Sequence, residues 1–159
     1  MKRSSFVVVA VAALSLAASA WAGGLNLHDM REGESFRQGR MVEFPPAVTK
    51  VLLQDGRVTE GWDVVDTRRA YCILEASSVR ADRPTVLAAG LEHEIEFVDH
   101  KWLDLPYGAA YATSFHYKGS ALEGMTCLKP SIYADDYMTL AEFMALAGGV
   151  LVPLRRLSE

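Results

Sequence analysis

The chain is poor in the residue patterns that announce chemistry. It has two cysteines among 159 residues, and they form no C-x-x-C pair, so the usual redox and zinc-ribbon spacings are excluded. Cationic residues are not in excess, with 16 Lys and Arg against 20 Asp and Glu. A chain so balanced cannot neutralise a phosphate backbone, and nucleic acid is excluded as a partner. There is no G-x-S-x-G elbow, no S-x-x-K box and no glycine-rich phosphate loop, so neither a nucleophile nor a cofactor is signalled. Repeats and low-complexity tracts are also missing, which leaves a single folded domain of ordinary composition.

What is present begins at the N-terminus. Lys2 and Arg3 precede an apolar run from Phe6 to Ala18, and Ala20-Trp21-Ala22 gives a small-x-small site ahead of Gly23-Gly24. This is the plan of a cleavable secretory signal, too short and too rich in small residues for a spanning helix. Residues 1–22 are therefore expected to be removed, which places the mature chain in the periplasm. The cleaved piece carries both positive charges and no acid, so the exported protein is more acidic than the whole chain and has no attraction to anionic lipid. Cys72 and Cys127 both lie in the exported part, and an oxidising compartment joins such a pair in one disulfide.

Along the mature chain the pattern reads mainly as strands. Residues 23–44 mix charges and glycines without a period and read as an extended or poorly ordered lead-in, with one β-rich domain over 45–159. Asp55-Gly56 between two β-rich runs marks a tight hairpin. Cys72 alternates with Leu74 in a strand from Ala70 to Ala76, and Leu91, His93, Ile95 and Phe97 alternate with Glu92, Glu94 and Glu96. Tyr111 to Lys118 and Leu122 to Leu128 read as a second hairpin around Gly119-Ser120. Near the end, Thr139 and Glu142 form a T-x-x-E capping box, Leu140, Phe143, Met144 and Ala147 make an apolar stripe, and Gly148-Gly149 stops the helix. Val150 to Val152 is a last strand, which Pro153 either ends or places at an edge. The expected fold is antiparallel β, a sandwich or partly open barrel, with one short C-terminal helix.

Candidate sites are few. The three glutamates of the 91–98 strand are explained by a solvated face, and Asp135-Asp136 lacks the ligand spacing of a calcium loop. The segment around Pro106 reads as a connection carrying more apolar area than a turn needs, in Trp102, Leu103, Leu105 and Tyr107. Those four residues are the partner-binding candidates, and the competing role for them is to plug an open end of the sheet.

The succession of Gln54-Asp55-Gly56, Tyr71-Cys72-Ile73-Leu74-Glu75, a hairpin returning to Cys127, Thr139-Leu140-Ala141-Glu142-Phe143 and Gly148-Gly149 resembles small exported proteobacterial proteins without an assigned activity. The resemblance implies a periplasmic location, a disulfide and a β-rich fold, and it carries over no catalytic residue. The function expected from all of this is a non-enzymatic binding or accessory protein of the cell envelope, its partner an envelope protein or a small ligand. It would act through a sheet edge or through residues 102–107, without cofactor or metal. The alternative from another class is an unrecognised periplasmic hydrolase, or a metal-handling protein in which His93, His100 and His116 converge.

Overall fold

The two central residues of the Asp55-Gly56 turn have φ of 51° and 71°, the positive pair that a two-residue hairpin needs to follow the twist of its strands. The turn joins β3 (Lys50–Gln54) to β4 (Arg57–Thr59), at one end of a sheet that takes in most of the chain. The computed structural model describes residues 24–133 and 136–155; the expected signal segment and Asp135 lie outside them.

The remaining strands are β1 (Ser35–Gln38), β2 (Val42–Phe44), β5 (Tyr71–Ala76), β6 (Thr85–Leu87), β7 (Glu92–Leu105), β8 (Gly108–Tyr117), β9 (Leu122–Pro130) and β10 (Leu151–Leu154). Eight of them form one antiparallel sheet in the order β10-β1-β7-β8-β9-β5-β3-β4, curled into a half-barrel, while β2 and β6 pair apart from it. The only α-helix among the described residues is α1 (Leu140–Ala147). The expected partly open barrel with one short C-terminal helix is what forms. No helix among the described residues is long and apolar enough to cross a membrane.

The concave face of the half-barrel holds the core, and α1 lies across it with Phe143 fully buried. Its start is fixed as the sequence specifies. The Thr139 hydroxyl accepts from the Glu142 N–H at 3.1 Å and the Glu142 carboxylate accepts from the Thr139 N–H at 2.7 Å. At the other end Gly148 is left-handed, and a Cβ there would stand 2.7 Å from the Gly56 Cα. That close approach lets the hairpin dock on the helix terminus: the Gly56 N–H donates to the Leu146 carbonyl, and the Arg40 guanidinium bridges the carbonyls of Gly56 and Gly148. Carbonyls that a helix end leaves free are thus satisfied by the far edge of the sheet, and the helix spans the open side of the barrel.

Two local expectations change. The segment expected to lead into the domain belongs to its core: Leu27, in a 3₁₀ turn (Leu27–Asp29), Met30 and Phe36 are buried, and β1 pairs with β10 on one side and β7 on the other. In β7, His93 and Ile95 face the core as the alternation required, but a bulge between Ile95 and Phe97 shifts the phase. Phe97 therefore turns outward, half exposed, and stacks on His116 with ring centroids 4.0 Å apart.

Candidate functional site

The residues expected as a connecting loop are strand. β7 continues through Trp102, Leu103 and Leu105, turns at Pro106-Tyr107, and returns as β8, with Leu105 opposite Gly108. The sequence reads as a loop here because neither face of the strand is uniformly apolar. Val98, His100, Trp102 and Asp104 face inward, opposite Phe115, Thr113, Tyr111 and Ala109, while Asp99, Lys101, Leu103 and Leu105 face outward.

The strand separates the four candidate residues. Trp102 stands inward with its ring 6.5 Å from that of Tyr111, and Tyr111 packs edge-on against Tyr137 at 4.4 Å. His28 joins the group from the 3₁₀ turn, 4.4 Å from Tyr137 and stacked on His100 at 5.1 Å. Burial lowers the His28 pKa, opposed by the Asp29 carboxylate and reinforced by the proximity of His100. Behind this row the Lys129 ammonium, from β9, binds Asp136 at 2.7 Å and Glu142 at 2.8 Å, fixing the connection that carries Tyr137 to the start of α1. Leu103 and Leu105 pack outward with Tyr71, Val65 and Leu128, and the Tyr107 hydroxyl is 2.7 Å from that of Tyr71. Leu103 and Leu105 thus cover a small cluster on the outer face, while Trp102 keeps 37% of its surface exposed.

The most consequential feature is the backbone of the same segment. β1 covers β7 only at Glu92 to Glu94, and the Ile95 N–H and C=O are the last to be taken up on that side, by Glu34 and Gly33 at 2.8 and 2.9 Å. From residue 97 to residue 105, β7 pairs with β8 alone, and no described strand lies along its other edge. Inward-facing residues of a strand direct their N–H and C=O to one constant side. Ile95 faces inward and bonds toward β1, so Val98, His100 and Trp102, inward beyond the bulge, present their backbone groups to the open edge. The Cys72–Cys127 pair gives the same phase through β9 and β8: its Cα atoms are 4.0 Å apart, the close spacing of a pair that does not share backbone hydrogen bonds. A long unpaired edge is a template for another strand.

The histidines do not converge. His93 lies in the core, His100 stacks on His28, His116 on Phe97, and among the described residues no group of three His, Cys, Asp or Glu side chains is placed to hold a metal. One polar network escaped the sequence because its members lie on three separate elements. The Gln38 amide donates to the Leu87 carbonyl at 2.6 Å, which leaves its oxygen to accept from His93 Nε2–H at 3.1 Å. His93 Nδ1 is then bare and accepts from the Ser120 hydroxyl. The Ser120 oxygen also accepts the Leu122 N–H at 3.2 Å, which ties the β8–β9 turn into the same network. The network ties β1, β7 and the β8–β9 turn together at the edge of the core.

Its pH dependence follows from burial, which pushes the His93 pKa down to about 4. In the unfolded chain an ordinary histidine takes its proton near pH 6.5, so between pH 6.5 and 4 the unfolded state binds more protons and stability falls as pH falls. The loss approaches about 3 kcal/mol by pH 4. Urea denaturation at pH 7, 5.5 and 4.5 should show a steeper fall for the wild type than for His93→Gln, and parallel pH profiles would exclude His93 as the cause.

Besides its end strands β10 and β4, the sheet thus leaves residues 97–105 of β7 without a described strand on one side. Compared with known proteins, the chain matches no family model, no curated protein and no solved structure.

Proposed function

We propose that this is an exported, non-enzymatic binding protein of the periplasmic cell envelope, and that it works by accepting an extended polypeptide along the open edge of β7. The observation that carries the reading is the run of residues 97–105, paired on one side only, with Trp102 and Phe97 exposed on its two faces. Main-chain hydrogen bonds along such an edge supply affinity, and the flanking side chains supply selectivity. Export is supported by the Lys2-Arg3 start, the apolar run and the Ala20-Trp21-Ala22 site, and the disulfide is consistent with an oxidising compartment.

A photoreactive residue in place of Lys101, activated in intact cells, should yield a periplasmic adduct, whereas the same group in place of the exposed Glu43 in β2 should not. Trp102→Ala should weaken the adduct and Trp102→Pro should abolish it, because only proline removes the N–H presented to the edge. Equal adducts at both positions, or an adduct undiminished by the proline, would refute edge binding.

A further inference from the structure

The open edge carries a sequence that complements itself. Residues 97–103 read Phe-Val-Asp-His-Lys-Trp-Leu, two apolar residues and an acid, a central histidine, then a base and two apolar residues. Two copies of this strand, laid antiparallel about a two-fold axis through His100, place Asp99 of each opposite Lys101 of the other. The same register sets Phe97 opposite Leu103 and Val98 opposite Trp102, twice each, since opposed residues in an antiparallel pair share a face. Glu96 against Asp104 is its one like-charge pairing, at the two ends where the strands leave each other. Moving the axis one residue either way puts Asp99 against Asp99 or Lys101 against Lys101, so the charges select this register.

The backbone agrees independently. Val98, His100 and Trp102 are the residues whose N–H and C=O point to the open side, and about a His100 axis they face Trp102, His100 and Val98 of the other copy. Each is then a hydrogen-bonded pair, and both strands are satisfied together. The apolar residues at the two ends of the run have surface left to bury, Phe97 being 49% and Trp102 37% exposed.

We infer that the partner of the β7 edge is a second copy of this chain, joined edge to edge by antiparallel pairing of residues 97–103 about a two-fold axis at His100. This rests on the reading that the edge binds a polypeptide and names which one. An isologous pairing of this kind closes on itself, which uses up the exposed edge instead of leaving it to propagate.

The protein, expressed as the full chain and purified from the periplasm, should sediment as a concentration-dependent dimer. Asp99→Lys sets lysine against lysine at both charge pairs and Lys101→Asp sets aspartate against aspartate, so each should weaken the dimer at least about tenfold. The double variant D99K/K101D restores opposite charges and should recover it. Mixing the two single variants should give a heterodimer, because every pairing between them is complementary. His100→Cys should form an intermolecular disulfide on oxidation, since hydrogen-bonded partners stand about 5.5 Å apart, within disulfide reach. Cysteine at Asp99 should cross-link far less, as residue 99 faces residue 101.

A monomer at all concentrations, or single variants whose dimer is unchanged, would overturn the inference. If the Lys101 photoadduct then contains a different protein, edge binding stands and only the identity of the partner fails. If there is neither dimer nor adduct, both fail.

Discussion

Phe36→Ala should lower stability by about 3–5 kcal/mol, the cost of removing a large aromatic side chain from a core that cannot collapse around the gap. Phe36 has no exposed surface, and its ring lies 5.0 Å from Phe115, 6.1 Å from Tyr117 and 5.4 Å from Phe143. It therefore joins three elements of the half-barrel, β1, β8 and α1. A domain of this size has about 5–15 kcal/mol in total, so a single substitution in the segment expected to precede the domain should remove a large part of it. Arg37→Ala, on the adjacent solvent-facing position, should stay within about 0.5 kcal/mol. Urea midpoints for the two variants decide the matter. If Phe36→Ala behaved like Arg37→Ala, residues 25–40 would be an appendage and β1 would not be part of the cooperative unit. The outcome also bears on the open edge, because β1 marks where the covered part of β7 ends.

The elements legible in the sequence are those whose signal is local and chemically specific. Asp55-Gly56, the Thr139–Glu142 box, the left-handed Gly148 and the edge position of Pro153 each involve a few adjacent residues whose backbone needs are nearly unique. The strands of β8 and β9 were legible because one face is buried for their whole length. What could not be read is physically different. Leu27, Met30 and Phe36 are core residues distributed over a 3₁₀ turn, the residue that caps it and a strand of four residues, each too short to show a period. The open half of β7 gives no period-two hydrophobic signal, because each of its faces is only partly covered and mixes His100, Lys101 and Asp104 with its apolar residues. Its Trp102, Leu103, Leu105 and Tyr107 stand out in the sequence as a group by their apolar content, and the register divides them between two faces. A bulge then inverts the phase at Phe97, a change that no count of alternation before it contains.

The second large effect is expected at Cys72 and Cys127, which stand directly opposite each other in β5 and β9 and form the disulfide expected of them. The bond closes a loop with a sequence separation of 55, and on the chain-entropy estimate its loss costs about 4 kcal/mol through the freedom it returns to the unfolded chain. Both cysteines should be replaced by alanine together, since one alone leaves a thiol to pair between molecules. The double variant should unfold at a lower urea concentration and with a larger m-value, because its unfolded state expands and exposes more surface. Phe36→Ala should shift the midpoint with the m-value unchanged, so the two substitutions separate an effect on the unfolded chain from one on the folded core. With Cys72 0% and Cys127 1% exposed, reductant should act on the native protein only as fast as the sheet opens. The consequence for the edge runs through the sheet: β9 holds β8, and among the described residues β8 is the only strand paired with residues 97–105 of β7. Chain retained in a reducing compartment should therefore lose stability and edge association together, while its oxidised form regains both. A reduced protein whose urea midpoint matched the oxidised one would show that the staple contributes nothing, and would detach the edge from the redox state of its compartment.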